Sequence, residues 1–536
     1  MNRARPSPVH VVVGLIAALV VIPVAVVLWH AAIPSDAWAH VLAIRLPGHL
    51  WQTLVLLGAV TTLAVLLGVP AAWLVSAYAF PGRRAFEWLL VLPLAMPGFV
   101  AAIAYVDAFQ GLVPFYVHVR TVYGVDAFLF VQRIAPWVFA VTVLGATLFP
   151  YVFLACRAVF SREAAGALEA ARTLGAGNLR AFTRVAVPMA RPAVAAGASL
   201  VAMETLNDFG VVTHFGLSPL TPGIFRAWNE GHLGVAMRLA LILMAVAAIA
   251  LMVERWQRGR RRYAVEAGDA PLEPRRLGPA GVALAWLVCG VPLLLGFALP
   301  AARLVRWALL SDSGFDRAAL AAAAANSFRI AGVAALLITA AAALVTGARR
   351  AWPGRFLSVA ERVTLMGYSF PSALVAVGIG ALAATLVGAG FSALALSAST
   401  FGLLLACFIR YLAVGVQPVS ASFDRLQPGL HEAARTLGAG AVSALLRINL
   451  PLARPALLAA AMLAFIDVFK ELPLTLVLRP FDFETLATLA FRLTDEGRIP
   501  EAALPALTLV ALSLIGLIPL TLMLRAGTRR AAGASV

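Results

Sequence analysis

Four carboxylates and a lysine lie inside stretches of sequence that are otherwise apolar. Glu204 and Asp208 are four residues apart in one stretch, and Asp467 and Glu471 repeat that spacing in another, beside Lys470. Carboxylates four apart on one helix share a face, and charges at membrane depth normally face a bundle interior, a cavity or a partner. These side chains could therefore surround a passage for a cationic or hydrated-metal substrate.

A second interpretation of the same residues stays open. Lys470 could neutralise some of the carboxylates in an ion-pair cluster whose role is to fix helix packing. The spacing of the acids does not decide between a passage and a packing cluster. No metal site is assigned from these residues.

A polar nine-residue sequence occurs twice, letter for letter. Glu-Ala-Ala-Arg-Thr-Leu-Gly-Ala-Gly spans 169–177 and again 432–440, so that the copies are offset by 263 positions. The same offset pairs the two sets of acids. The chain is therefore a tandem duplication with two equivalent halves.

The composition places most of the chain in a lipid bilayer. Hydrophobic residues make up 62% of the 536 positions and charged residues 12%, which excludes an ordinary water-soluble globule. We predict an all-α integral membrane protein with about twelve spans, each long enough to cross a hydrocarbon core. The predicted spans lie near 11–33, 50–79, 88–111, 136–160, 188–213, 236–255, 279–302, 325–348, 357–387, 393–416, 455–478 and 502–524.

A polar, basic segment joins the two halves. We predict a first repeat of about six spans over 1–255, a cytoplasmic linker over 256–278, and a second repeat of about six spans over 279–536. An even number of spans separates the two polar copies, so the repeats are expected to be parallel. Most of the 42 Lys and Arg residues fall in segments that are inside if the N-terminus is inside, which predicts cytoplasmic termini.

The repeated polar segment should form a short helix, a turn and a second short helix. Glu169 to Leu174 is a good helix-forming run, and Gly175 and Gly177 can end it. Leu168, Ala171 and Leu174 would then offer a small apolar face to a groove on a partner. The alternative is an amphipathic elbow that anchors the loop to lipid.

Both copies resemble the cytoplasmic loop of binding-protein-dependent ABC importer permeases. That loop has Glu-Ala-Ala, a Gly six residues after the Glu, an aliphatic residue sixteen after it and a Pro nineteen after it. The resemblance implies coupling loops over 161–187 and 420–450 that dock on a separate ATPase subunit. The residues that match this pattern are Glu169, Ala170, Ala171, Gly175, Val185 and Pro188 in the first copy, and Glu432, Ala433, Ala434, Gly438, Ile448 and Pro451 in the second.

The resemblance extends over nearly the whole chain. Residues 203–210, 467–487 and 501–505 resemble the fused two-domain permeases of ferric-iron importers. The resemblance implies the translocation subunit of an ATP-driven importer for ferric iron, in the bacterial inner (plasma) membrane. Fused permeases for thiamine, and related ones for phosphonates or polyamines, share the architecture, so these cargoes stay open.

The same resemblance implies two kinds of partner. Two copies of a nucleotide-binding ATPase subunit would dock on the cytoplasmic face, and a solute-binding protein would dock on the outer loops near 112–135, 214–235 and 479–501. No nucleic-acid partner is expected, because the net charge of +17 comes from arginines in short loops beside spans. The candidate contacts for the solute-binding protein are Phe225, Arg226, Trp228, Phe481, Phe491 and Arg492.

We find no site for ATP in the sequence. A P-loop needs a Lys before Ser or Thr, and the one Lys of the chain, Lys470, is followed by Glu471. We therefore expect a non-catalytic subunit that binds no cofactor, with ATP and magnesium held by the partner ATPase. An ion-coupled secondary carrier, which uses the buried carboxylates as a relay, is the alternative from another class.

Overall fold

The computed structural model describes residues 8–163, 165–175, 177–258, 274–310, 316–388, 399–425, 436, 438 and 440–533. Within these ranges the chain is α-helical, apart from turns and one pair of two-residue strands. The prediction of an all-α membrane protein is confirmed.

Within its described residues, the first half contains twelve α-helices. Three of them continue through short, wider turns of helix, over Val41–Arg45, Val159–Glu163 and Phe182–Ala186. The bounds are α1 Pro8–Ala32, α2 Asp36–His40, α3 Leu46–Ala77, α4 Arg83–Leu89, α5 Gly98–Gln110, α6 Val113–Ala158, α7 Ala165–Thr173, α8 Asn178–Ala181, α9 Val187–Asn207, α10 Gly210–His214, α11 Leu220–Asn229 and α12 Leu233–Arg258.

The second half repeats this order within its described residues. Wider turns of helix occur at Leu294–Ala298 and Leu445–Asn449. The bounds are α13 Pro279–Leu293, α14 Leu299–Leu310, α15 Arg317–Ala351, α16 Arg355–Met366, α17 Ser372–Gly388, α18 Thr400–Arg425, α19 Ala441–Ala444, α20 Leu450–Leu452, α21 Arg454–Phe469, α22 Pro473–Leu478, α23 Leu486–Asp495 and α24 Ile499–Gly533.

Three pairs of helices are sharply bent. In the described part of the chain, nine helical stretches are long and apolar enough to cross a membrane, and the number rises to twelve if each of three bent pairs is one span. The bends are 87° between 83–95 and 98–110, 107° between 355–369 and 372–387, and 71° between 442–452 and 454–469. Pro97 and Pro371 stand at the first two bends, where a proline removes a helix hydrogen bond and restricts the residue before it.

The predicted outer segment near 112–135 is helical. Residues 113–158 form α6, which is interrupted at Gly124 with φ 86°. Many apolar side chains of this stretch, such as Phe115 and Phe130, are exposed on the protein surface.

The first helix of each half packs on the other half. α1 lies against α15, α16 and α17 as well as α12, while α13 and α14 lie against α3, α5 and α6. Arg303 on α14 also forms an ion pair with Asp107 on α5. The first helix of each half is therefore exchanged, in the sense that it lies against helices of the other half.

Two glycines allow this close exchange of helices. A side chain on Gly296 would place its Cβ 1.9 Å from the Ala146 carbonyl oxygen of α6, and one on Gly378 would place it 2.8 Å from the Pro23 carbonyl oxygen of α1. Helices in membranes commonly approach through such small residues.

The end of the linker is attached to the first half. Strand β1, Tyr78–Ala79, pairs in parallel with strand β2, Arg275–Arg276. Trp286 on α13 then donates its indole N–H to the Pro81 carbonyl at 3.1 Å. Residues 259–273 of the predicted linker lie outside the described residues.

Candidate functional site

A cavity of about 130 Å³ lies between the two halves, and all five predicted pathway residues line it. The bends at Pro97 and Pro371 bring α4–α5 and α16–α17 to its wall. The lining residues used below are Pro93, Met96, Pro97, Phe99, Thr147, Leu148, Glu204, Asn207, Asp208, Tyr368, Ser372, Arg410, Tyr411, Asp467, Lys470 and Glu471.

The expectation that each pair of acids shares one helical face is wrong. α9 ends at Asn207, and Asp208 is extended with ψ 133°. α21 likewise ends at Phe469, before Glu471. The helix thus ends between the two acids of each pair, and the acids meet at the cavity because the chain turns there.

The second acid of each pair caps the short helix that follows the break. Asp208 Oδ2 accepts a hydrogen bond from the Val212 N–H of α10 at 3.1 Å. Glu471 Oε1 accepts one from the Leu474 N–H of α22 at 2.9 Å. A side-chain oxygen in this place satisfies helix N–H groups that otherwise lack a partner, which matters most at membrane depth.

Glu204 and Asn207 join the first half to the second. Tyr368 donates its hydroxyl proton to Glu204 Oε1 at 2.6 Å. Ser372 donates its backbone N–H to Asn207 Oδ1 at 3.0 Å. Both contacts reach the bend at Pro371, so the cavity wall on this side is closed by hydrogen bonds between the halves.

Arg410 is a functional candidate that the sequence analysis missed. Its side chain is 2% exposed, and it donates to the Tyr368 carbonyl and to Ser372 Oγ at 3.2 Å. Its guanidinium lies 4.8 Å from the ring centre of Tyr368 and 5.8 Å from that of Tyr411. The signal was present, since Arg410 is a lone charge inside the predicted span 393–416.

The remaining charges of the cavity are also engaged. Lys470 Nζ lies 2.9 Å from Asp467 Oδ1, and Tyr411 donates its hydroxyl proton to Glu471. The ion pair with Asp467 is the kind of contact that the packing interpretation requires. It neutralises one carboxylate of the four.

The cavity is lined by more carboxylates than cations, and the two halves contribute these charged residues unequally. Four carboxylates face two cations, Arg410 and Lys470, which leaves a formal charge of −2 when all are ionised. The 263 offset pairs Arg410 with Thr147, and Lys470 with Asn207. Both cations therefore come from the second half, where the first half has neutral residues.

One hydrogen-bond donor at the cavity has no partner among the described residues. Asn207 is 8% exposed, and its Nδ2 makes no hydrogen bond. Its orientation is fixed because Oδ1 accepts the Ser372 N–H. Within the same described ranges, no three His, Cys, Asp or Glu side chains are grouped so that they could hold a metal ion.

The first polar segment forms the predicted pair of short helices. α7 ends at Thr173, Gly175 takes φ 81°, and α8 begins at Asn178. Glu169 is exposed, as is Leu174 at 87%, whereas Leu168 is buried in the protein. Only part of the predicted apolar face is therefore open to a partner, and Pro188 follows in the first turn of α9.

The second polar segment is described in part. Glu432, Ala433 and Ala434 lie outside the described residues. Gly438 takes φ 84°, matching Gly175, and Pro451 lies in α20.

The predicted contacts at the other end of the bundle differ in exposure. Phe225 and Phe491 are buried, and the Phe491 ring centre lies 5.6 Å from that of Phe209. Phe481, in contrast, is 93% exposed. We therefore keep Phe481 as a candidate contact and remove the two buried phenylalanines.

Three arginine–glutamate contacts order the surface near Phe481. Arg479 and Arg492 lie 2.7 and 2.9 Å from Glu484, and Arg492 also reaches Glu496 at 2.7 Å. The hydrogen bond from Arg492 holds the pKa of the Glu496 carboxyl below its ordinary value. These contacts between arginines and glutamates therefore hold the surface around Phe481 in a defined arrangement.

Residues 64–258 match the family described as binding-protein-dependent transport system inner membrane component. The chain is 24% identical to the Fe(3+)-transport system permease protein FbpB 2 of Haemophilus influenzae over 88% of both chains. It is 29% identical to the molybdenum transport system permease protein ModB of Escherichia coli, over 38% of this chain and 92% of that protein. It is 31% identical to the sulfate transport system permease protein CysT of Salmonella typhimurium, over 27% of this chain and 50% of that protein.

The membrane-spanning helices and these similarities agree with the resemblance of the two polar segments. Over residues 64–258 this multi-pass membrane protein matches the family of binding-protein-dependent transport system inner membrane components, and along most of its length it is similar to a permease of that kind.

Proposed function

We propose that this chain is the translocation subunit of an ATP-driven importer for ferric iron. One chain supplies both halves of the pathway, with repeats over 1–255 and 279–536. Binding and hydrolysis of ATP in separate nucleotide-binding subunits would switch the central cavity between outward and inward access. The observation that carries the proposal is the cavity at the interface between the halves, which is lined by four carboxylates and two cations.

The charge of the cavity favours a cationic cargo over an oxyanion. Its two cations are already engaged, Lys470 by Asp467 and Arg410 by Tyr368 and Ser372. A carboxylate-rich wall of low dielectric attracts cations and repels anions. Among the relatives, the one named for Fe(3+) transport aligns over most of this chain, whereas those named for molybdenum and sulfate align over shorter parts.

The route of the cargo follows from the same residues. Glu204, Asp208, Asp467, Lys470 and Glu471 line the pathway in this proposal. Asn207 adds an N–H donor without a partner in the described structure. A hydrated cation presents water protons that can be donated to the carboxylates.

The two polar segments would be the docking sites of the ATPase subunits. One copy would bind at 161–187 and a second at 420–450, so that closure of the ATPase dimer moves both segments together. The exposure of Glu169 and Leu174 leaves that surface open to a partner. Both termini would then be cytoplasmic, in agreement with the distribution of arginine.

The solute-binding protein would dock at the opposite face. Phe481 is the most exposed apolar side chain there, within a surface ordered by Arg479, Glu484 and Arg492. An exposed aromatic residue set among ordered charges is typical of a contact that anchors a partner.

Reconstitution tests the proposal. We would place the chain in liposomes with its candidate ATPase and solute-binding protein and measure uptake of radioactive ferric ion, molybdate and sulfate. We expect ATP-dependent uptake of ferric ion alone. Uptake of an oxyanion would overturn the choice of cargo, and uptake driven by an ion gradient without ATP would favour the secondary carrier.

Docking is tested by copurification of the ATPase. The double variant Glu169→Ala, Glu432→Ala should lose the ATPase subunits, while Asp126→Ala, a change to an exposed acid in α6, should retain them. Retention of the ATPase by the double variant would remove the two glutamates from the docking sites.

A further inference from the structure

Each half carries a carboxylate at the same place in its bent pair of helices. Glu87 lies on α4 and Glu361 on α16. The two residues are 274 positions apart, and so are Gly98 and Ser372, which begin the second helix of each pair. The two acids therefore occupy equivalent positions, shortly before each bend.

In the first half, Glu87 is bound by the helix that leads into the first polar segment. Arg157, in the last turn of α6, places Nη2 3.0 Å from Glu87 Oε2. Arg83 approaches the other carboxylate oxygen at 3.5 Å and donates its Nε–H to the Val75 carbonyl of α3. Glu87 is thus held between α3, α4 and the end of α6.

In the second half, Glu361 is linked to the corresponding helix through one arginine. Arg349, in the last turn of α15, places Nε 2.9 Å from Glu361 Oε2. The same guanidinium pairs with Asp424, in the last turn of α18, where segment 420–450 begins. The side chain of Glu361 is 4% exposed.

The two links are built from different arginines. The 263 offset pairs Arg157 with Ser420, which carries no charge. Arg349 supplies the cation instead, and it also donates to Ser420 Oγ at 3.4 Å. Replacing a buried ion pair by apolar residues often costs no stability. Helix packing alone therefore does not explain why each half pairs this acid with an arginine.

Both acids lie directly upstream of the cavity wall. After Glu87 the chain reaches Pro93, Met96 and Pro97, and after Glu361 it reaches Tyr368 and Ser372. Coupling between distant sites is carried by contiguous packed elements and ion pairs. The ends of α6 and α18 are therefore connected through these acids to the helices that shape the cavity.

We propose that Glu87 and Glu361 are positioning residues that transmit movement of the polar segments to the cavity wall. The inference rests on the proposed function, because it requires that an ATPase moves those segments. The link Glu87–Arg157 acts in the first half, and Glu361–Arg349–Asp424 acts in the second.

The experiment uses the whole transporter in lipid nanodiscs or liposomes. We would compare Glu87→Gln, Arg157→Gln and the double variant, measuring cargo transported per ATP hydrolysed and the amount of ATPase subunit retained. We expect each single variant to keep its ATPase and to transport about fivefold less per ATP, the lower end of common coupling effects. The double variant should be no worse than either single one.

A matched control removes an ion pair elsewhere in the bundle. Asp107→Asn removes the pair with Arg303 on α14 and should leave transport per ATP unchanged. Unchanged coupling in Glu87→Gln, or fully additive losses in the double variant, would overturn the proposal.

Failure to fold is covered by further variants. If Glu87→Gln does not accumulate, Glu361→Gln tests the equivalent link in the second half, and Arg157→Lys tests whether a retained charge preserves coupling. A wild-type chain that binds no ATPase would refute the proposed function itself, whereas loss confined to the variants with retained ATPase concerns the links.

Discussion

At the scale of single residues, the acids of the cavity have two roles: they form hydrogen bonds within the protein, and they line the cavity. Asp208 and Glu471 cap the helices that follow each break, and Glu204 accepts a hydrogen bond from Tyr368 of the other half. Such acids were expected either to line a passage or to hold helices together. The geometry shows that one carboxylate can bond to the protein and still face the cavity.

Removal of the Tyr368 hydroxyl should destabilise the contact between the halves. Hydrogen bonds to charged groups contribute about 1.5–3 kcal/mol and those between neutral groups about 0.5–1.5 kcal/mol. We expect Tyr368→Phe to lower the midpoint of thermal unfolding in detergent more than Tyr105→Phe, since Tyr105 donates to the neutral carbonyl of Leu295. Equal shifts would show that the Glu204 contact adds nothing.

At the scale of helices, the breaks decide what reaches the cavity. The bends at Pro97 and Pro371 turn α5 and α17 away from their preceding helices by 87° and 107°. In a straight helix, the chain would pass the interface between the halves without turning toward it. Because these helix pairs bend, the residues at each bend lie at the cavity.

The sequence predicted the spans well because apolar length is a local property. It also predicted the turn at Gly175, since glycine readily takes a positive φ. It did not predict the break between Glu204 and Asp208, because the apolar run continues through both. The contact between Arg410 and Tyr368 could not be predicted from the sequence either, because it depends on how two separate spans pack.

The exchanged helices should be sensitive to small changes at Gly296. A Cβ there would lie 1.9 Å from a backbone oxygen, and overpacking of this kind typically costs about 1–3 kcal/mol. We expect Gly296→Ala to lower the unfolding midpoint. Gly290→Ala is the control, because nothing lies within 4 Å of its Cβ position. Similar midpoints for the two variants would mean that α13–α14 shifts easily against α6.

At the scale of the whole molecule, the two halves differ although they share a repeated segment of sequence. The repeat keeps the polar segments alike, yet both cavity cations belong to the second half. The cavity is therefore pseudo-symmetric in its backbone and asymmetric in its charge. A cargo would meet carboxylates on both sides and cations on one.

The exchange of first helices predicts how separated halves behave. If the chain is divided within 259–273 and both parts are coexpressed, we expect them to copurify, because α1 and α13 each pack on the opposite part. Either part expressed alone should be degraded or aggregated. A monodisperse first part with a protease-resistant α1 would contradict this prediction.

The exchange also sets the order of events during synthesis. α1 is synthesised long before α17, the helix of the second half that it packs on, which begins at Ser372. At about 5–20 residues per second, the stretch from Ala32 to Ser372 takes roughly 20 to 70 s to make. For that time the side of α1 that will contact α17 faces lipid or an insertion factor, so completion of the first half and completion of its packing are separate steps in biogenesis.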